Sequence, residues 1–78
     1  MTFLNRLYAE LTQELAKGPI NITEYRKRRR AHYVLKELVP ADYFDKGLSF
    51  VVNQLIREGK AEKRRKGREW VLLPREAE

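Results

Sequence analysis

Apolar residues recur at helical spacing in three segments of the chain. In the first segment they are Leu4, Leu7, Tyr8, Leu11 and Leu15. Thr2 is a candidate N-cap for this helix. Gly18 and Pro19 end it, because glycine readily adopts the αL conformation and proline cannot continue a helix. We therefore predict a first helix over residues 1–18.

A short strand and a second helix are expected next. In "PINI", Ile20 and Ile22 lie on one side, as in a brief strand. Asn21 with Glu24 three residues later forms a capping-box pattern, or Thr23 is the cap. The helix is predicted over residues 23–39, because the residue before a proline avoids the αR conformation.

The two sides of this second helix differ in polarity. We expect one stripe to face the core: Ala31, Val34, Leu35 and Leu38, flanked by Tyr25 and His32. The opposite side then carries Arg26, Arg29, Arg30, Tyr33 and Lys36. We expect His32 to be a packed or flanking residue and not a ligand, since the chain has no second histidine and no cysteine.

The third helix is predicted over residues 42–58. Its apolar side consists of Phe44, Leu48, Val51, Val52, Leu55 and Ile56, and its other side of Lys46, Ser49, Phe50, Asn53, Gln54 and Arg57. Asp42 or Asp45 is the expected cap, and Gly59 the residue that ends the helix. Gly47 weakens a helix by about 1 kcal/mol relative to alanine, so a start after Gly47 is the alternative.

A β-hairpin is predicted over residues 60–73, with residues 74–78 as a frayed tail. Gly67 supplies the positive φ that a tight turn requires. Trp70 and Leu72 alternate with Val71 and Leu73, so one of these pairs covers the core, and we expect Trp70 to belong to it. The predicted fold is mainly α with a small hairpin, and residues 1–78 form one domain.

Size and composition narrow the function. A chain of 78 residues has little room for an enclosed catalytic cleft. It has no cysteine for a disulfide or a zinc site. Neither a signal peptide nor an apolar run long enough to span a membrane is evident. We expect an intracellular protein without metal, cofactor, small-molecule ligand or enzymatic activity, since no catalytic motif is present.

The positive charge is concentrated in the last two-thirds of the chain. The net charge is +6, but residues 25–75 carry fifteen cationic and six acidic residues, a local charge of +9. Six cations fall within residues 60–68, around the hairpin turn. Lysines often guard exposed strand edges against aggregation, but this density favours contact with a polyanion. The run "RKRRR", residues 26–30, is a phosphate-contacting face, a solvated face or a localisation signal.

The order of helix, short strand, two helices and hairpin resembles the winged-helix class of helix-turn-helix domains. The stretch "LSFVVNQLIREGKAEKRRKGREWVLL" is similar to that family's third helix and wing. The second helix is longer, and the hairpin shorter, than is typical of the family. The resemblance covers roughly residues 2–73.

The resemblance implies a double-stranded DNA-binding protein, with the third helix in the major groove and the wing on the backbone. It assigns Lys46, Ser49, Phe50, Asn53 and Arg57 to the groove, and Lys63, Arg64, Arg65, Lys66 and Arg68 to the wing's backbone contacts. In a helix-turn-helix the preceding helix crosses the backbone, so Arg26, Arg29 and Arg30 are expected to add phosphate contacts. Phe50 either packs against the first helix or the wing, or contacts a thymine methyl or a protein partner.

The sequence alone leaves three functions open. The first is a small transcription regulator of the kind that viruses, phages and plasmids encode. It would bind as a homodimer built on the first helix or on the acidic tail. The second is a protein-interaction module that docks on an acidic protein surface. The third is an RNA-binding basic domain.

Overall fold

The computed structural model describes residues 2–75, which form three helices and a small antiparallel sheet. The elements are α1 (Phe3–Lys17), β1 (Ile20–Asn21), α2 (Ile22–Leu35), α3 (Ala41–Arg57), β2 (Ala61–Lys66) and β3 (Glu69–Pro74). The sheet has the strand order β1-β3-β2. The predicted element order is confirmed. Residues 74–78 were expected to form a frayed tail, but Pro74 is the last residue of β3. Residues 76–78 lie outside the described residues.

α1 follows its sequence signals. The Thr2 hydroxyl accepts a hydrogen bond from the Asn5 backbone N–H at 3.2 Å, as an N-cap does. Leu7, Leu11 and Leu15 are buried. After Lys17 the chain turns at Gly18, where φ is +139°, a conformation that side chains of L-residues rarely adopt.

α2 is rotated relative to the prediction, which was wrong about its core-facing side. Tyr33, expected on the polar side, is fully buried, and Tyr25 and Ile22 are buried with it. The expected core stripe faces outward: Ala31 is exposed and Val34 is half-buried, while Leu35 and Leu38 are 76% and 84% exposed. Two aromatic rings bury far more surface than the smaller apolar residues of the stripe, so the tyrosines decide the rotation.

The two ends of α2 also differ in how well the sequence predicted them. Asn21 is the N-cap, and its side-chain oxygen accepts from the Glu24 N–H at 3.1 Å. The helix ends at Leu35, not at residue 39. Leu38 adopts a positive φ of 56°, and the Val39 N–H returns to donate to the Tyr33 carbonyl at 3.0 Å. The chain therefore leaves the helix before Pro40 can break it.

α3 buries the predicted side, with Phe44, Leu48, Val51, Val52 and Leu55 in the core and Ile56 half-buried. The expected aspartate cap is wrong, because the N-cap is Pro40 and no side chain caps the helix. Gly47 lies within the helix and is not its start. A Cβ at Gly47 would come within 2.6 Å of the Phe3 ring, so glycine here permits the close approach of α1 to α3.

The three-stranded sheet contributes residues to the same core as the helices. β3 pairs with β1 through Ile20 opposite Leu72, and with β2 through six residue pairs from Ala61–Pro74 to Lys66–Glu69. Leu72 and Ala61 are buried. Gly67 has the positive φ that the sequence predicted, +64°, but the turn consists of Gly67 and Arg68, because β2 continues through Lys66. No helix within residues 2–75 is both long and apolar enough to cross a membrane.

The orientation of α2 can be tested by truncating one buried and one exposed leucine. Leu55→Ala removes a fully buried side chain of α3 and should destabilise the fold by about 2–5 kcal/mol. Leu35→Ala removes a mostly exposed side chain of α2 and should change stability by less than about 0.5 kcal/mol. Urea denaturation of both variants measures the difference. Comparable losses at the two positions would contradict the observed rotation.

Candidate nucleic-acid interface

The solvent side of α3 presents a row of polar side chains. Lys46, Ser49, Asn53 and Arg57 are all exposed, as expected when the opposite side of the helix fills the core. Within residues 2–75, none of the cations in this row pairs with a carboxylate. Their charges and hydrogen-bonding groups therefore remain available to a ligand.

Phe50 belongs to the same face but lies toward α1. Its side chain is 57% exposed and borders a groove with Leu4 and Tyr8 of α1 and Gln54 of α3. The structure therefore places Phe50 away from the hairpin. Of the two packing positions considered for it, only the one beside the first helix agrees with this geometry.

Strand alternation divides the cations of the hairpin, which we call the wing (residues 61–74), between two faces. Lys63 and Arg65 share the face of Leu72 and Trp70, because they pair opposite these residues in the register. Arg64 and Lys66 lie on the other face of the wing. Arg68 occupies the turn. The five wing cations that the sequence grouped together therefore do not form one surface.

The two faces also differ in how the charges are held. Lys63 Nζ lies 4.6 Å from the centroid of the Trp70 ring and the Arg65 guanidinium 5.7 Å from it, so the ring and both cations form cation–π contacts. Arg65 also donates to the Gly67 carbonyl at 3.1 Å. On the other face, Arg64 pairs with Glu62 at 3.2 Å. Part of the outward charge is thus neutralised locally.

The wing is fixed to the helices by specific hydrogen bonds. The Trp70 backbone N–H donates to the Thr23 hydroxyl of α2 at 3.1 Å. The Asn21 side-chain amide donates to Glu69 at 2.8 Å. At the base of the wing, Lys60 donates to the Tyr8 hydroxyl at 3.0 Å. These contacts join the wing to α2, β1 and α1.

Tyr8 also joins the end of α3 to the wing. Its hydroxyl donates to Glu58, just beyond α3, while accepting from Lys60. The hydrogen bond from Tyr8 holds the pKa of Glu58 below its usual value, and the same hydroxyl raises the pKa of Lys60. Both shifts favour the charged forms that the two groups already have at neutral pH.

Residues from three elements converge around one cleft of about 190 Å³. The polar members are Arg26 of α2, Ser49 and Asn53 of α3, and Lys63 of the wing. Trp70 forms part of its wall and is half-buried. We call this set the α3–wing cleft. It brings together four of the thirteen predicted site residues.

Trp70 was expected only as a core residue. It does pack at the edge of the core, but its ring also forms cation–π contacts with Lys63, which lines the cleft, and with Arg65. The sequence carried a signal for this position, since in a hairpin with a two-residue turn at Gly67–Arg68 the residue opposite Trp70 is Arg65. Which face of the hairpin met the helices was not evident from the sequence.

Arg29 lies apart from the other predicted site residues. It is on the buried side of α2 and donates to Glu10 of α1 at 2.8 Å. Burial lowers the pKa of Arg29, but Glu10, Tyr33 and Tyr25 more than offset this and hold it above its usual value. Arg29 is therefore engaged in the packing of α1 against α2.

Glu10 also accepts a hydrogen bond from the buried Tyr33 hydroxyl at 2.9 Å, and from Tyr25 at 3.5 Å. Burial and the nearby Glu10 raise the pKa of both tyrosines. Both phenols therefore remain protonated donors at neutral pH. We call these four residues the Glu10 cluster: Glu10, Tyr25, Arg29 and Tyr33.

Arg30 occupies an intermediate position. It lies on the outer side of α2, where its guanidinium is 3.6 Å from Asp45 of α3. This contact is partly exposed, and such exposed ion pairs contribute little to stability. Arg30 can therefore leave Asp45 for another anion at small cost.

His32 has the flanking position expected of it. Its ring meets the Tyr33 ring edge-on at 5.5 Å. Within residues 2–75, no group of three histidine, aspartate or glutamate side chains is placed to hold a metal ion.

Comparison with known proteins yields no match: no family model, no curated protein sequence and no solved structure is significantly similar to the chain. Any function assigned to the chain therefore rests on the geometry of its own residues.

The different positions of Arg29 and Arg26 on one helix lead to a prediction about stability. Arg29→Ala leaves Glu10 and the two tyrosine hydroxyls without a partly buried cationic partner, and should cost about 1–2 kcal/mol. Arg26→Ala removes an exposed side chain and should cost less than about 0.5 kcal/mol. Chemical denaturation measures both. If Arg26→Ala were the more destabilising change, the assignment of Arg29 to packing would be wrong.

Proposed function

We propose that the protein binds double-stranded DNA, with α3 in the major groove and the wing on the adjacent backbone, as a small transcription regulator. The observation that carries this proposal is the convergence of Arg26, Asn53 and Lys63, from three separate elements, on one cleft beside an exposed polar helix. Such convergence is expected of a surface that contacts a base edge and two flanking phosphates together.

The dimensions of α3 suit the major groove. A helix with its side chains is about 10–12 Å across, and the major groove of B-DNA is about 12 Å wide. The 17 residues of α3 give it a length of about 25 Å at 1.5 Å per residue. The exposed row from Lys46 to Arg57 runs over three turns of this length, enough to follow several base pairs.

The side chains of this row have the chemistry of base recognition. Asn53 can make paired hydrogen bonds to adenine, and Arg57 to guanine. Ser49 is a shorter donor or acceptor. Phe50, at the edge of the row, is suited to apolar contact with a thymine methyl group.

The cations around the row have the chemistry of backbone contact. Lys63 and Arg65 stand on the wing face that continues into the cleft, and Arg26 borders the cleft from α2. Phosphate contacts position a protein on the duplex without reading sequence. We assign these three cations to the phosphates that flank the groove.

The topology supports the same proposal. The element order of helix, short strand, two helices and hairpin is the order on which the winged-helix resemblance rests, and the short strand adds to the hairpin as a third strand. We therefore propose a winged-helix mode of binding. α2 has 14 residues, fewer than the span of residues 23–39 that the sequence predicted for it.

Base reading by α3 is tested by two neighbouring amides. Asn53→Ala should weaken binding to the preferred duplex by about 1–3 kcal/mol and binding to random duplex much less. Gln54→Ala, the matched control, lies toward α1 and should have little effect on either duplex. The preferred site is first selected from a random duplex pool, and affinities are then measured by fluorescence anisotropy. Equal losses on both duplexes for Asn53→Ala would show that it reads no base.

Backbone contact by the wing is tested by two double variants with the same change in charge. Lys63→Ala with Arg65→Ala removes the cleft-side cations, and Arg64→Ala with Lys66→Ala removes those of the other face. Each phosphate contact contributes about −0.9 to the slope of log affinity against log salt. The first variant should make the slope shallower by about 2, on preferred and random duplex alike, and the second by clearly less.

Both double variants should melt close to the wild-type temperature, because Gly67 and Leu72 keep the hairpin in place. Identical changes of the salt-dependence slope in the two double variants would show that binding depends only on the net charge of the wing. No slope change in either variant would mean that the wing does not touch the nucleic acid. The same titrations with a structured RNA hairpin in place of duplex DNA test the choice between the two nucleic acids.

A further inference from the structure

The outward side of α2 and the start of α3 enclose an apolar groove of about 720 Å³. Its apolar wall is formed by Ala31, Val34, Leu35 and Ala41, and three cations stand beside it: Arg26, Lys27 and Arg30. We call this the α2–α3 groove. Leu38, beyond the end of α2, is the most exposed large apolar residue of the described chain, at 84%.

This exposed stripe is unusual for so polar a chain. Single exposed apolar residues are common, but the exposed Leu35 continues the apolar wall of a groove. Leu35 and Leu38 do not belong to the core, to which α2 contributes Tyr25 and Tyr33 instead. The DNA-binding surface proposed above does not use them either.

The charges around the groove indicate what kind of partner covers it. Three cations border it, and Asp45 is its one carboxylate among the described residues. A second copy of the chain, packed in a two-fold symmetric way, would bring the same cations together. A partner that carries acidic residues beside apolar ones would instead complement both the apolar wall of the groove and its positive charge.

We propose that the α2–α3 groove binds an amphipathic helix of another protein, with apolar anchors flanked by glutamates or aspartates. Helices that dock in grooves present anchors at i, i+3, i+4 and i+7. Of the residues that line this groove, only Arg26 also borders the α3–wing cleft.

The probe for this proposal is a fluorescein-labelled peptide of about 15 residues, a length at which isolated helices begin to form. It carries leucines at i, i+3, i+4 and i+7 and glutamates on either side of them. One control peptide has lysines in place of the glutamates. The other has alanines in place of the leucines. Binding is followed by fluorescence anisotropy.

The glutamate–leucine peptide should bind at least about tenfold more tightly than either control, because both charge and apolar contact are required. Leu35→Ser removes the exposed leucine of the groove wall, and combined with Leu38→Asn, three residues further along the chain, it should weaken peptide binding by about tenfold or more. Both side chains are exposed, and asparagine tolerates the positive φ of residue 38, so this variant should melt like the wild type. Its affinity for DNA should be unchanged.

Two further variants distinguish binding of the peptide in the groove from nonspecific electrostatic attraction of the peptide to a basic protein. Lys27→Ala with Arg30→Ala removes two cations from the groove and should weaken peptide binding. Arg64→Ala with Lys66→Ala removes two cations from the wing and should leave it nearly unchanged. Equal weakening by the two variants would overturn the proposal, because it would indicate binding without a defined site.

Other results would also overturn the proposal. These are equal affinity for the glutamate and lysine peptides, and no binding of the glutamate peptide at all. Sedimentation equilibrium tests whether a second copy of the chain covers the groove instead. A dimeric wild type together with a monomeric Leu35→Ser, Leu38→Asn variant would show that it does. A monomeric wild type that binds the glutamate peptide supports the proposal.

Discussion

The arrangement of this small domain depends on how two tyrosines of α2 are buried. Tyr25 and Tyr33 contribute large rings to the core, but each ring carries a hydroxyl that cannot be left without a partner. Glu10 of α1 accepts from both, and Arg29 balances its charge. These contacts fix α2 about its own axis. The orientation of the helix then determines which way each of its other side chains points.

Both candidate binding surfaces depend on that orientation. With Tyr33 turned inward, Arg26 borders the α3–wing cleft, and Ala31 and Leu35 face solvent beside α3. A rotation that buried the leucines would have exposed the tyrosines and left Glu10 with no hydroxyl to accept from. It would also have carried Arg26 away from Asn53 and Lys63. The Glu10 cluster thus positions groups that it does not itself touch.

The wing depends on a second, smaller set of contacts. A two-strand hairpin alone is marginally stable in water, and this one gains a third strand in β1 and the bond from Trp70 to Thr23. Its cations are consequently held at a set position beside α3. Lys63 and Arg65 lie against the Trp70 ring, which limits their freedom and so reduces the entropy that a phosphate contact would cost. Arg64 and Lys66 lack that support.

Local sequence determined much of this protein. The caps at Thr2 and Asn21, the glycines at 59 and 67, and the apolar side of α3 each depend on residues within one or two turns of each other. Such features were therefore predictable, as was the exposure of Lys46, Ser49, Asn53 and Arg57. The predicted aspartate cap of α3 was wrong, because the helix begins at Ala41 and both Asp42 and Asp45 lie inside it.

Only the tertiary structure decided the side of α2 that is buried. The helix offers two competing stripes, one with leucines and one with tyrosines, and apolar periodicity favoured the leucines. The tyrosine stripe prevails because Glu10, 15 to 23 positions away in sequence, satisfies its hydroxyls. The same long-range packing decided that Lys63 and Arg65, but not Arg64 and Lys66, face the cleft. In each case the deciding partner lies on a different element, so no local pattern could carry the information.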